Sequence, residues 1–152
     1  MIPEFRAVSE MPEDDMDLDK IPHAGKLVFG SYSDGYMLGP VADASDEYIY
    51  HEWWVKVDTA TLGQYTGLKD INGRKIFEGD IITVQATNDD GSTDGMLGRI
   101  DYDADIASFG FAVIGGDNWD NHSFDNLFEE GFVDLHVIGN VHENPELLEE
   151  NK

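Results

Sequence analysis

The dipeptide Asn72-Gly73 constrains this chain most, because Asn-Gly between two β-forming runs is the strongest short-range signal for a chain reversal. It separates Gly67-Leu68-Lys69-Asp70 from Arg74-Lys75-Ile76-Phe77, so these runs are expected to pair as a hairpin. A two-residue type I′ turn requires positive φ at both central positions, which Asn tolerates and Gly adopts freely. A second reversal is expected at Glu78-Gly79-Asp80, leading into Ile81-Ile82-Thr83-Val84-Gln85.

The same reading extends along the chain. A short strand is expected around Glu4-Phe5-Arg6-Ala7, and another at Lys26-Leu27-Val28-Phe29, turned by Ser33-Asp34-Gly35 into Tyr36-Met37-Leu38. From Tyr48 to Val57, Trp53, Val55 and Val57 alternate with Trp54 and Lys56, which places one indole toward a core and the other away from it. Asn88–Gly95 reads as a polar loop. Ile100 and Tyr102 then mark a half-buried strand, and Phe109, Phe111 and Val113 its returning neighbour. Ser123 caps an expected helix over 124–130, with Phe124, Leu127 and Phe128 on one face and Gly131 ending it. Val133, Leu135 and Val137 give a last strand, and Asn144-Pro145-Glu146 opens a helix over 145–150. Residues 7–25, punctuated by Pro12, Pro22 and Gly25 and dense in acid, read as a flexible acidic loop. The expected class is therefore mainly β: a small antiparallel barrel or open sheet with two short helices, in one domain spanning 1–152.

Charge limits the partners. Nine basic residues face thirty-two acidic ones for a net charge of −23, and no Lys or Arg lies between Arg99 and Lys152. Nucleic-acid binding depends on Lys and Arg neutralising phosphates, and anionic membranes attract basic segments, so neither is expected as a direct partner. An acidic surface that imitates nucleic acid before a basic host protein is the alternative use of such a charge. The lack of cysteine excludes disulfides, thiolate zinc sites and a Cys nucleophile. Met1-Ile2-Pro3-Glu4-Phe5 does not follow the basic-then-apolar pattern of a signal peptide, and a cytoplasmic location is expected.

Taken together, Tyr65-Thr66-Gly67-Leu68-Lys69-Asp70, Asn72-Gly73 and Ile76-Phe77-Glu78-Gly79-Asp80-Ile81 resemble the signature run of the YopX-like phage and prophage proteins. Phe5-Arg6-Ala7 is similar to that family's opening, and Val137-Ile138-Gly139-Asn140-Val141-His142-Glu143-Asn144-Pro145 to its closing; Val8 departs from the Trp usual there. The resemblance implies a small SH3-like β fold with added elements, encoded by a phage or prophage and acting in a bacterial host. It implies no catalytic residue. The motif residues Tyr65, Thr66, Gly67, Leu68, Asp70, Asn72, Gly73, Glu78, Gly79 and Asp80 are expected to act structurally, the glycines at turns and the aspartates as acceptors for nearby N–H groups.

Other constellations were weighed for chemistry. Asp101-x-Asp103-x-Asp105 begins like a calcium loop, but Ile106 and Ala112 stand where such a loop needs Gly and Glu. Asp117, Asp120, His122 and Asp125 form a polar loop rather than a spaced ligand set, and Gly139 interrupts the strand between His136 and His142. No nucleophile elbow, phosphate loop or dinucleotide fingerprint is present. The expectation is an accessory protein without catalytic residues, cofactor or metal, working through a protein partner or self-association; a metal-dependent enzyme is the second alternative. Trp54, Trp119 and Tyr36 are the aromatics that would mark a partner surface if exposed.

Overall fold

A computed structural model describes residues 3–87, 89–105, 107–114, 121–123 and 134–148. The protein is mainly β, as expected. Thirteen strands are described: β1 (Phe5–Ser9), β2 (His23–Ala24), β3 (Leu27–Ser33), β4 (Tyr36–Leu38), β5 (Val41–Ala44), β6 (Ile49–His51), β7 (Trp54–Lys69), β8 (Lys75–Phe77), β9 (Asp80–Thr87), β10 (Thr93–Asp103), β11 (Ser108–Val113), β12 (Asn121–Ser123) and β13 (Asp134–Asn140). The described residues also include one helix, α1 (Glu13–Leu18), and a 3-10 turn at Pro145–Leu148. The chain divides into two compact units, Met1–Tyr65 and Thr66–Lys152.

In the first unit β1 pairs with β3, β3 with β4, β4 with β7 and β7 again with β1, all antiparallel, so the strands close into a ring. Closure is helped by a register shift between Arg6 and Val8, where the Val8 N–H leaves the ladder and donates to Thr61 Oγ1 at 2.8 Å. Ala7, Met16, Ile21, Val28, Met37, Val55 and Val57 fill the core, with Phe5, Met11, Tyr32, Trp53 and Leu62 packed at its margin. The expected turn at Ser33-Asp34-Gly35 is present, with Asp34 at φ +48° and Gly35 at φ +92°, the paired positive values of a type I′ reversal.

Residues 7–25 contain more regular structure than the expected acidic loop: the end of β1, α1 and β2. Met16 alone fixes α1 to the core, being completely buried, so the helix offers no apolar periodicity for a sequence reading to detect. Glu13, Asp14 and Asp15 occupy its first turn, where negative charge complements the helix dipole. The helix is tied to β2 by His23, whose Nε2 lies 2.6 Å from Asp17 Oδ1 while Nδ1 lies 3.0 Å from the Gly25 carbonyl. Both partners are acceptors, so the imidazolium satisfies both and the neutral ring only one. The Asp17 carboxylate, and then the Gly25 carbonyl, accordingly raise the His23 pKa above its ordinary value. A raised folded-state value means the clamp contributes fully below the unfolded pKa near 6.5 and is lost as pH rises through the folded value. Melting of wild type and His23→Gln across pH 5.5–9 should show a wild-type advantage that is largest at the acidic end and fades upward. A pH-independent difference would contradict the clamp.

The second unit is an open antiparallel sheet in the order β12-β11-β10-β9-β13, joined by the hairpin of the end of β7 with β8. Ile76, Ile82, Val84, Ile100, Phe111 and Leu135 form its core, with Leu68, Met96, Phe109 and Val137 packed against them. Ile100 is buried as expected for β10, but Tyr102, two residues on and so on the same side of the strand, is 48% exposed, its ring set against Phe109 at 5.3 Å between centroids. The helix expected over 124–130 lies outside the described residues. The one expected over 145–150 is described as a single 3-10 turn through Leu148.

Candidate functional site

The family motif falls mainly in the second unit, and the aromatics Tyr36 and Trp54 in the first. In the second unit the motif residues converge on two buried aspartates. Asp70 is 7% exposed; its Oδ1 accepts from the N–H groups of Asn72 (2.9 Å) and Arg74 (2.8 Å), and Oδ2 from Val137 (3.1 Å). Burial pushes the Asp70 pKa up, but the donors Val137, Arg74 and Asn72 together outweigh it and hold the carboxyl below its ordinary value. Asp80 is fully buried, and its Oδ2 accepts from the Phe77 N–H at 2.7 Å. Thr66 Oγ1 donates to the Ile76 carbonyl at 2.8 Å, and Leu68 enters the core.

The turn itself differs from the expected type. Gly73 has φ +80°, but Asn72 is not left-handed; the Gly73 N–H donates to the Asp70 carbonyl (3.0 Å) and the Asp70 N–H to the Arg74 carbonyl (2.8 Å). The loop is therefore three residues, Ile71-Asn72-Gly73, with one left-handed glycine in the bulge position rather than a two-residue type I′ turn. The Asp70 carboxylate imposes this by drawing two loop N–H groups inward. Gly79, at φ +91°, is left-handed at its turn, whereas Gly67, at φ +89°, is left-handed within β7 rather than at a turn.

The closing segment meets the same motif. Ile71 N–H donates to the Leu135 carbonyl and Val141 N–H to the Gly79 carbonyl, both at 2.9 Å, while Asn140 pairs with Asp80 across β13 and β9. Asn140 Oδ1 accepts from His142 and Glu143 N–H, turning the chain into the 3-10 segment. The two stretches that carried the resemblance thus lie side by side, with their polar side chains directed to backbone groups. Asp101 and Asp103 are engaged by Arg99 Nε and the Asp105 N–H. Among the described residues, no group of three or more His, Cys, Asp or Glu side chains could hold a metal. Asp117, Trp119, Asp120 and Asp125 lie outside the described residues, as does the His122 side chain. No helix among the described residues is long and apolar enough to cross a membrane.

In the first unit the notable surface is the β5–β6 hairpin; sequence reading merged β6 with the start of β7 into one strand over Tyr48–Val57 and assigned no strand to β5. Among the described residues the hairpin's two strands pair only with each other, with Asp43 opposite Tyr50 and Ala44 opposite Ile49. Every residue from Val41 through Tyr50 is exposed, including Val41 (54%), Ile49 (63%) and Tyr50 (58%). Tyr48 and Tyr50 share one face with ring centroids 4.9 Å apart, and Tyr48 donates to Asp43 Oδ2 at 3.2 Å. The base is pinned where Gly39 N–H donates to the Trp53 carbonyl, Glu52 N–H to the Pro40 carbonyl, and His51 Nδ1 lies 2.6 Å from the Gly39 carbonyl.

Two residues later Trp54 is 60% exposed, and Tyr36 is exposed on the same outer face of β4 and β7. Trp53 points the other way and packs on the core margin, as the alternation predicted. It also borders an open groove of about 440 Å³ with Phe29, Leu38, Pro22 and Pro40. The groove depends on Gly39, because a Cβ there would lie 2.4 Å from the Trp53 indole nitrogen. The hairpin residues Val41, Tyr48, Ile49 and Tyr50 were not singled out from the sequence. The available signal was Ser45-Asp46-Glu47 as a polar turn between two short β-forming runs, and it marks a hairpin without saying that nothing covers it.

Residues 39–149 match the family model described as YopX protein. Comparison with curated proteins finds no match. Among solved structures the chain is similar to the crystal structure of protein EF1440 from Enterococcus faecalis, at 24% identity over 97% of this chain and 99% of that one, with a TM-score of 0.48.

Proposed function

The chain belongs to the YopX protein family, and from that premise we propose that it is a phage- or prophage-encoded accessory protein of the bacterial cytoplasm that acts by protein contact. The contact surface in this reading is the β5–β6 hairpin with Trp54, while the motif around Asp70 and Asp80 serves as scaffold. One observation carries it: ten successive residues, Val41–Tyr50, are exposed in a hairpin that pairs with no other strand among the described residues. Isolated two-stranded hairpins are marginal in water, and large exposed apolar and aromatic side chains grouped together mark interaction sites. Tyr and Trp are also the residue types that dominate binding energy at interfaces.

Placing a photo-crosslinking side chain at Ile49 in producing cells tests this directly, with Ile71, equally exposed in the other unit, as the control position. A discrete protein adduct at position 49 and none at 71 is the expected result. Absence of any adduct at 48, 49 or 50 would remove the hairpin as the contact surface.

A further inference from the structure

We propose that the hairpin is completed by an extended, lysine- or arginine-bearing segment of another protein, which adds a strand to β5–β6 and lays its apolar side chains on Ile49 and Val41. This rests on the contact reading above and names the chemistry of the partner.

Three observations converge on that occupant. Among the described residues the sheet has two strands, so an outer edge of backbone N–H and C=O groups is presented on each, the template for strand addition. A third strand also supplies what an isolated hairpin lacks for stability. The side chains then specify the charge. Asp43, Asp46, Glu47 and Glu52 lie on or beside the hairpin, all exposed, and no Lys or Arg occurs between Lys26 and Lys56. The Tyr48–Tyr50 pair, 4.9 Å between centroids, stands beside the Asp43 carboxylate that accepts from Tyr48, so aromatic faces and an anion are presented together. That combination attracts an ammonium or guanidinium group by both cation–π and ionic contact. A second copy of this chain is the poorer occupant, because pairing hairpins would bring together two sets of these carboxylates on two chains of net charge −23.

Peptide titration tests the assignment, using six-residue peptides that alternate valine with lysine, threonine or glutamate, monitored by calorimetry on the full chain. The lysine peptide should bind most tightly and the glutamate peptide not at all. Because any cation is drawn to so acidic a protein, two neutralised variants are compared. One carries Asp43→Asn, Asp46→Asn, Glu47→Gln and Glu52→Gln; the other carries Glu13→Gln, Asp14→Asn, Asp15→Asn and Glu146→Gln, four exposed carboxylates outside the hairpin. The hairpin set should weaken the lysine peptide about tenfold, the scale of a few solvent-screened charge pairs, and the other set much less. Ile49→Ser with Tyr50→Ser should weaken all binding peptides while leaving the circular dichroism of the ring unchanged. Equal weakening by both carboxylate sets, or equal binding of lysine and glutamate peptides, overturns the basic-segment assignment. So does a concentration-dependent dimer abolished by Ile49→Ser, which would make a second copy the occupant. Each of these results leaves hairpin crosslinking in cells intact, so the partner's chemistry can fail without the contact reading failing.

Discussion

Asp70→Ala should lower the stability of the second unit by about 3 kcal/mol, the scale expected when buried donors lose their acceptor. Three backbone N–H groups, of Asn72, Arg74 and Val137, depend on this one carboxylate. The first two lie in an exposed loop and can turn to water, which moderates the loss; the third belongs to β13 and has less freedom. Asp70→Asn should cost less at neutral pH, because its remaining oxygen can hold the Asn72 and Arg74 donors while its amide faces the Val137 N–H. The pH dependence separates charge from shape. A folded-state pKa below the ordinary value near 3.9 makes the carboxylate's contribution full above that value and lost as pH falls through the folded one. Urea unfolding at pH 7 and pH 2.5 should therefore show the gap between wild type and Asp70→Asn narrowing at the acidic pH. A gap that stays constant would mean that the ionised form contributes nothing special.

Much of this architecture was legible because it is written in local patterns. The alternation at Trp53–Val57 placed the two indoles on opposite sides, and Asp34-Gly35 announced its turn by residue type alone. What stayed hidden depended on long-range partners. No local pattern shows that β1 pairs with both β3 and β7, since ring closure is a property of strand ends far apart in sequence. Helix α1 was read as loop because one buried residue in six is below any periodic signal. The site was hidden for a related reason. Val41-Ala42-Asp43-Ala44 and Tyr48-Ile49-Tyr50 look like ordinary strands, and only the sheet topology reveals that, among the described residues, no third strand joins them. Motif strength was also a poor guide to which side chains the fold leaves exposed. The run that identifies the family spends Asp70, Asp80 and Thr66 on backbone groups, whereas the exposed hairpin carries no comparable signature.

Gly73→Val should destabilise the protein by about 1–3 kcal/mol, the scale of local backbone strain, even though it inserts its side chain into open space. A Cβ at Gly73 would meet no atom within 4 Å, so steric overlap with neighbours contributes nothing. The cost arises from φ +80°, a region where a β-branched residue is an outlier. Relief by rotating φ is obstructed on both sides, because the Gly73 N–H is held by the Asp70 carbonyl and the Arg74 N–H by the Asp70 carboxylate. Asn72→Ala should change stability far less, since Asn72 is not left-handed and donates only its backbone N–H to Asp70. This ordering discriminates the observed loop from the two-residue turn that Asn-Gly usually signals, in which both positions would be left-handed and Asn72→Ala would also be costly. The two substitutions should further differ in whether they couple with Asp70→Ala. Once the carboxylate is gone the loop is free to relax, so Gly73→Val should cost less in the Asp70→Ala background than alone, while Asn72→Ala should be additive. Thermal melting of the double-mutant cycle measures this, and an undiminished Gly73→Val penalty would show that the strain is held by the hairpin strands rather than by Asp70.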